Sequence, residues 1–334
     1  MTFNRNLKKR MKAARQNIER GYQIRKKINE SDVPNLENII LSPIIIGHSC
    51  GYEDGYGPIY STKATHKCVE VADYLEIDVW YSKKQRIWRY YHPNFWDKFR
   101  KRKKGICLKK FFIDFSNAII ANNRTGRCGI FIDMKSRVKN DNQVESLMEL
   151  IEKYVPKKTP LIIFTGRSIL KKGFRDSTTL FLEYIYNNSD FWNNYPITIS
   201  TREINIQNFI DKIRNVDLRK GISALWEKRR FNWTFNPYHF WKIFYKFEYM
   251  IQNNISFFPW ITNLPSDKDT YLIWDTITDY IILKAIELNL HQKNLVNKLN
   301  WGIITFVPTM FSCYLKKRFP IIAQNSYLDH SENC

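Results

Sequence analysis

The chain has 334 residues, 53 Lys and Arg against 32 Asp and Glu for a formal charge of +21, and 44% hydrophobic residues. That apolar content argues against a wholly disordered chain, and six cysteines with no C-x-x-C pair argue against a zinc knuckle or a dense disulfide framework. The positive charge calls for an anionic partner without choosing among nucleic acid, anionic lipid and a small phosphate-bearing substrate.

Residues 1–30 carry ten Lys or Arg on a helix-like pattern, without the apolar core of a secretory signal. They read as a solvated basic arm, with targeting or membrane contact as the alternative. The charged segment gives way near residue 35 to the first apolar run, so the expected organisation is an arm over 1–35, one domain over 36–320 and a tail over 321–334. Short apolar or β-branched runs then recur at Asn38–His48, Asp73–Tyr81, Gly129–Lys135, Pro160–Thr165, Pro196–Thr201, Gly221–Trp226, Ser256–Thr262 and Trp301–Val307. Helical patterns fall between several of them, at Asn142–Tyr154, Thr179–Asn187, Ile204–Val216 and Thr270–Leu288. Eight strands alternating with helices predict an α/β fold with a parallel sheet, and their number favours a closed (β/α)₈ TIM barrel over an open doubly wound sheet. No uncharged run approaches the roughly 18 residues of a membrane span, since even Tyr271–Ile286 contains Asp275 and Asp279; the compartment stays open.

In a barrel, catalytic groups belong at the C-terminal ends of the strands. His48 ends the first run, Glu76 and Asp78 lie late in the second with His92 beyond it, and Asp133 and Lys135 end the third. Side chains alternate along a strand, so Glu76 and Asp78 share one face and Leu75, Ile77 and Val79 the other. Carboxylates gathered in the barrel mouth need compensation by a cation or several donors. Three carboxylates suit Mg²⁺, or Ca²⁺, better than zinc, because hard oxygen ligands favour hard cations. A polar face on a half-exposed strand is the plainer alternative for Glu76 and Asp78. His48 and His92 could serve as base and acid around a substrate held there, although a single histidine at a strand end is more often structural.

The order of these motifs, "IIIGHSCG", "ADYLEIDVW", "RYYHPN" and "FIDMKS", resembles the phospholipase-C-like phosphodiesterases. Within them it is similar to glycerophosphodiester phosphodiesterases and to the sphingomyelinase D type of phospholipase. Further on, "SFFPWITN" and "LNWGIITFVP" resemble the seventh and eighth strands of that superfamily, so the matches run from about residue 44 to 308. The resemblance implies a (β/α)₈ barrel with His48 and His92 as acid and base and one Mg²⁺ at Glu76, Asp78 and Asp133. It further implies that Lys135 contacts the phosphate, that Trp260 shapes the pocket, and that a substrate hydroxyl can attack phosphorus to give a cyclic phosphate. The chain departs from the pattern at His48-Ser49-Cys50, where glycerophosphodiesterases usually carry His-Arg-Gly, and at Phe306, where an Asp or Asn is usual. "LEIDVW" also resembles the catalytic half of eukaryotic phosphoinositide phospholipases C, without their His-Asn pair.

Residues 83–104 interleave ten Lys or Arg with six aromatics, and Trp226–Tyr249 is a second aromatic-rich segment. Such loops could rest on an anionic membrane surface or stack on single-stranded nucleic acid, the latter being the less favoured partner; core aromatics beside a solvated charged face are the plain alternative. Two functions are therefore weighed. One is a metal-dependent phosphodiesterase acting on a phospholipid, lysophospholipid or glycerophosphodiester. The other is a catalytically inactive barrel that binds membrane or nucleic acid.

Overall fold

The computed structural model describes residues 16, 18–30, 43–50, 61–90, 105–136, 138–165, 177–201, 231–235, 256–261, 267–287, 301–305 and 307–318. His92, Phe306 and the runs expected at Gly221–Trp226 and Ile204–Val216 lie outside them. The first helix among the described residues is α1, residues 18–29, and the chain forms two compact units: one of residues 44–234 with 306–309, the other of 1–43, 235–305 and 310–334.

In the first unit the elements run β1 (Ile44–Gly47), α2 (Thr62–Val71), β2 (Tyr74–Ser82), β3 (Ile87–Tyr90), β4 (Ile106–Cys107), α3 (Leu108–Ala121) and β5 (Gly129–Met134). They continue through α4 (Asp141–Tyr154), β6 (Leu161–Phe164), α5 (Ser177–Asn187), α6 (Ser189–Asn194), β7 (Ile197–Thr201) and β8 (Phe231–Phe235). Strands β1, β2, β5, β6, β7 and β8 pair in parallel in that order. All six residues of β5 are buried, which is why the strands read as continuous apolar runs: a parallel sheet covered on both faces leaves no polar side. Helix α4 shows how the cover forms. Asn140 caps it by accepting from the Gln143 amide at 3.2 Å, and Val144, Leu147, Met148 and Ile151, at helical spacing, are its buried stripe.

Strand β2 is long enough to have two different neighbours on one edge. Its first residues pair with β1, at Ile46↔Tyr74 and Gly47↔Leu75, and its last with antiparallel β3, at Val79↔Tyr90 through Ser82↔Ile87, while β5 runs along the other edge. The β3–β4 pair is absent from the sequence reading, and within residues 83–90 it favours the plain alternative of core aromatics beside a charged face; residues 91–104 lie outside the described ones. Trp88 and Tyr90 are fully buried; the Trp88 indole donates to Ser146 Oγ at 3.0 Å and the Tyr90 ring packs edge-on against Phe111 at 5.1 Å. Their alternation with Arg89 is the period of a strand with one core face, which a count of charges conceals. Neither ring is free to enter a bilayer or stack on a base.

The start of β5 is tight. A Cβ at Gly129 would stand 2.4 Å from the Pro160 carbonyl oxygen and 2.5 Å from Tyr74 Cε1, so Gly129→Ala must push a backbone and a ring apart. We expect a loss of about 1–3 kcal/mol in urea denaturation; a variant as stable as the parent would contradict the close approach.

In the second unit β9 (Ser256–Ile261) pairs in parallel with β10 (Gly302–Thr305), and the main helices are α7 (Asp267–Glu287) and the last residues of α8 (Pro308–Arg318). Helix α1 is docked on one face here rather than solvated all round. Gly21 meets Thr276 so closely that an added Cβ would overlap its Oγ1, Ile24 and Ile28 are buried, and Arg25 Nε pairs with Asp279 Oδ2 at 2.5 Å. Positions 21, 24, 25 and 28 form one helical stripe, hidden in the sequence by the density of Lys and Arg around it. Asp279 also receives Arg318 at 2.8 Å, and Asp275 accepts from the Tyr314 hydroxyl at 2.9 Å, which accounts for two acids inside an apolar run. Together the units establish a mixed α/β fold on parallel strands; these ladders do not by themselves close a barrel. Among the described residues no helix is long and apolar enough to cross a membrane.

Candidate active site

The strand register assembles the acids. Asp78 of β2 stands directly opposite Asp133 of β5, and paired residues of parallel strands point to the same face. Glu76, two residues before Asp78, shares that face. One ligand atom from each of Glu76, Asp78 and Asp133 lies within 4.8 Å of the others, and all three side chains are buried. On the same face Phe131 and Phe164 pack with ring centres 6.0 Å apart, which gives the acids an apolar neighbourhood along β5 and β6.

His48 arrives from β1. Because Gly47 pairs with Leu75, the next residue is carried alongside Glu76, and His48 Nε2 lies 3.6 Å from Glu76 Oε2, an ion-pair distance beyond direct hydrogen-bond reach. The chain then turns sharply through His48–Cys50, with Ser49 at φ 49° and Cys50 at φ 59°. Both are left-handed positions unusual for residues with a Cβ. The turn aims the Ser49 amide at Glu76 Oε2, to which it donates at 2.9 Å. Behind it, the Tyr90 hydroxyl lies 3.5 Å from Cys50 Sγ.

Lys135 follows β5, and its ammonium reaches back to Asp78 Oδ1 at 2.8 Å and Asp133 Oδ2 at 2.5 Å. Burial alone would lower the Lys135 pKa, but Asp133, Asp78 and Glu76 together outweigh it and raise it above the ordinary lysine value. Burial first, then repulsion from Asp78 and Asp133, holds the Glu76 carboxyl well above the usual carboxylate range, against the pull of Lys135 and the Ser49 amide. Burial likewise pushes the Cys50 thiol up to about 12; it is a packed, inert sulfur.

Thus five of the seven residues singled out in the sequence, His48, Glu76, Asp78, Asp133 and Lys135, come together. His92 lies outside the described residues, and Trp260 falls in β9 of the other unit, opposite Ile304. The sequence reading missed the Ser49 amide and the Tyr90–Cys50 contact, because a left-handed turn made from Ser and Cys leaves no glycine to signal it. The donor set fits a divalent ion: three converging carboxylates supply hard oxygens, and their mutual repulsion at Glu76 is what a cation would relieve.

No family model matches the chain, and no curated protein matches it. Among solved structures it is similar to a glycerophosphodiester phosphodiesterase from Parabacteroides distasonis, at 11% identity and a TM-score of 0.49, over 83% of this chain and 98% of that one. It is also similar to a Plasmodium falciparum HPPK-DHPS mutant with pteroate, at 12% identity and a TM-score of 0.37, over 87% of this chain and half of that one. Likeness at this level carries no argument about activity.

Proposed function

We propose that the chain is a metal-dependent phosphodiesterase on a (β/α)₈ barrel, cleaving a phospholipid or glycerophosphodiester by two-histidine acid–base chemistry. The observation that carries this reading is the meeting of His48, just past β1, and Asp133, near the end of β5, with Glu76 and Asp78 in the stretch of β2 paired in parallel, toward the side where open α/β sheets and barrels alike place their chemistry. Glu76, Asp78 and Asp133 would hold Mg²⁺, with Ca²⁺ as the alternative. When bound, the ion would neutralise charge on the phosphate oxygens.

His48 and His92 divide the proton work, since imidazole both takes and gives a proton near neutral pH. One accepts the proton of an attacking substrate hydroxyl as its oxygen bonds to phosphorus. The other donates a proton to the leaving alcohol oxygen as its bond to phosphorus breaks, and the product is a cyclic phosphate plus an alcohol. Lys135 would steady a phosphate oxygen. The Ser49 amide keeps one Glu76 oxygen turned toward His48. The basic aromatic residues beyond Tyr90, such as Trp96 and Arg100–Lys103, would rest on an anionic membrane.

A panel of phosphodiesters, offered as short-chain soluble compounds and in anionic vesicles, tests both parts by phosphorus NMR of the products. We expect turnover with Mg²⁺, loss in chelator and recovery on adding the ion back, with faster cleavage in vesicles at low salt than at high. Full activity in excess chelator after dialysis would remove the metal, and cleavage of no diester would remove the activity.

A further inference from the structure

Lys135 does something in this site that a phosphate contact alone does not explain. Its ammonium lies against two of the three carboxylates a divalent ion would need, 2.8 Å from Asp78 Oδ1 and 2.5 Å from Asp133 Oδ2, with 15% of its side chain exposed. We propose that Lys135 is an exchangeable internal counterion: it neutralises Asp78 and Asp133 before metal arrives, gives way when a divalent cation takes those carboxylates, and only then turns to the phosphate. The role rests on the metal site proposed above.

The physical grounds are three. Asp78 and Asp133 are in register on adjacent strands, so their charges are fixed side by side by the backbone and cannot separate. Both are buried, and two buried carboxylates without a cation are costly. Lysine supplies a compact charge on a flexible four-carbon stem, able to hold the pair in one rotamer and leave it in another, and a second cation on the same carboxylates repels it. Loading would therefore be an exchange of one cation for another. The order of events follows: Lys135 becomes available to an anionic substrate after the ion binds.

Calorimetric titration of Mn²⁺ into the parent, Lys135→Met and Lys135→Arg, with melting curves in chelator, tests this without turnover. Lys135→Met should bind Mn²⁺ at least about tenfold more tightly, since a competing positive charge is gone, melt lower in chelator, and gain more on adding metal; Lys135→Arg should bind like the parent. On the parent itself, acetylation of Lys135 followed by mass spectrometry should rise when Mg²⁺ is added, and this arm decides if the Met variant does not fold. Equal or weaker binding by a folded Met variant, or labelling of the parent that is unchanged or lowered by Mg²⁺, overturns the counterion role. Binding by the Met variant but not the parent overturns the exchange, leaving Lys135 a fixed counterion, and removes the metal-dependent phosphodiesterase; binding by neither overturns both.

Discussion

We expect His48→Ala to lower the maximal rate of the proposed diester cleavage by about 10²–10⁴-fold, the usual contribution of one proton-transfer partner, with little change in the far-ultraviolet spectrum. The imidazole is buried at the end of β1 with Nε2 3.6 Å from Glu76 Oε2, and two contacts of the local turn do not involve it. The Ser49 amide bonds Glu76 through the backbone, and the Tyr90 hydroxyl meets Cys50. Loss of the ring should therefore remove chemistry before it removes structure. Added imidazole should restore part of the rate if the ring is the proton carrier. Turnover near that of the parent in a folded His48→Ala protein would return this residue to a structural role.

The second large effect is one of stability, and its sign follows from Glu76. Burial and then repulsion from Asp78 and Asp133 raise its pKa in the folded protein, so the folded state keeps this proton at a pH where the unfolded chain has lost it. The folded state thus binds more protons, and the metal-free protein must lose stability as pH climbs from the ordinary carboxyl range through the raised value. Glu76→Gln removes the charge and keeps an oxygen to accept from the Ser49 amide. In chelator at neutral pH and above it should be more stable than the parent by about 1–4 kcal/mol, as neutral replacements of buried charge often are. The advantage should vanish near pH 4, where the parent carboxyl is protonated in both states, and Mg²⁺ should stabilise the variant less than the parent. Urea denaturation across pH, with and without the ion, measures all of this; a parent more stable than Glu76→Gln at pH 8 in chelator would contradict it.

What was legible in the sequence was whatever a local period carries. Runs such as "GIFIDM" and "LIIF" announce strands buried on both faces, and β5 and β6 lie within a residue or two of where those runs put them. Glu76 and Asp78, spaced by two, had to share a face, and the parallel pairing that follows from alternating strands and helices was enough to bring Asp133 beside them. Other features depend on partners distant in sequence. Trp88 and Tyr90 look like surface residues amid Lys and Arg until Ser146 and Phe111 are seen behind them. Gly21, Ile24 and Ile28 look like part of a charged tail until α7 supplies Thr276 and Asp279. Helices α2 and α3 are hard to see in the sequence because the buried stripe of Thr62–Val71 is made of the small side chains Ala64, Thr65, Cys68 and Val69, and Leu108–Ala121 leads in from a basic run that reads as loop. The turn at Ser49 and Cys50 has no local signature, since its left-handed backbone is imposed by neighbours and not by glycine.

The double neighbourhood of β2 has a consequence for how the site breathes. Its first residues are bonded to β1, its last to β3, and β5 pairs with Tyr74–Val79 on the other edge, so every residue of this strand belongs to at least one ladder even where β1 has ended. Amides bonded within such a strand open only with the cooperative unit around it and exchange their hydrogens last. Glu76 and Asp78 are therefore mounted on one of the slowest-opening segments of their unit, while His48 sits on a turn outside that ladder. Adjustment to a ligand should come from the histidine turn and the Lys135 side chain, with the two carboxylates of β2 as the fixed frame against which they move.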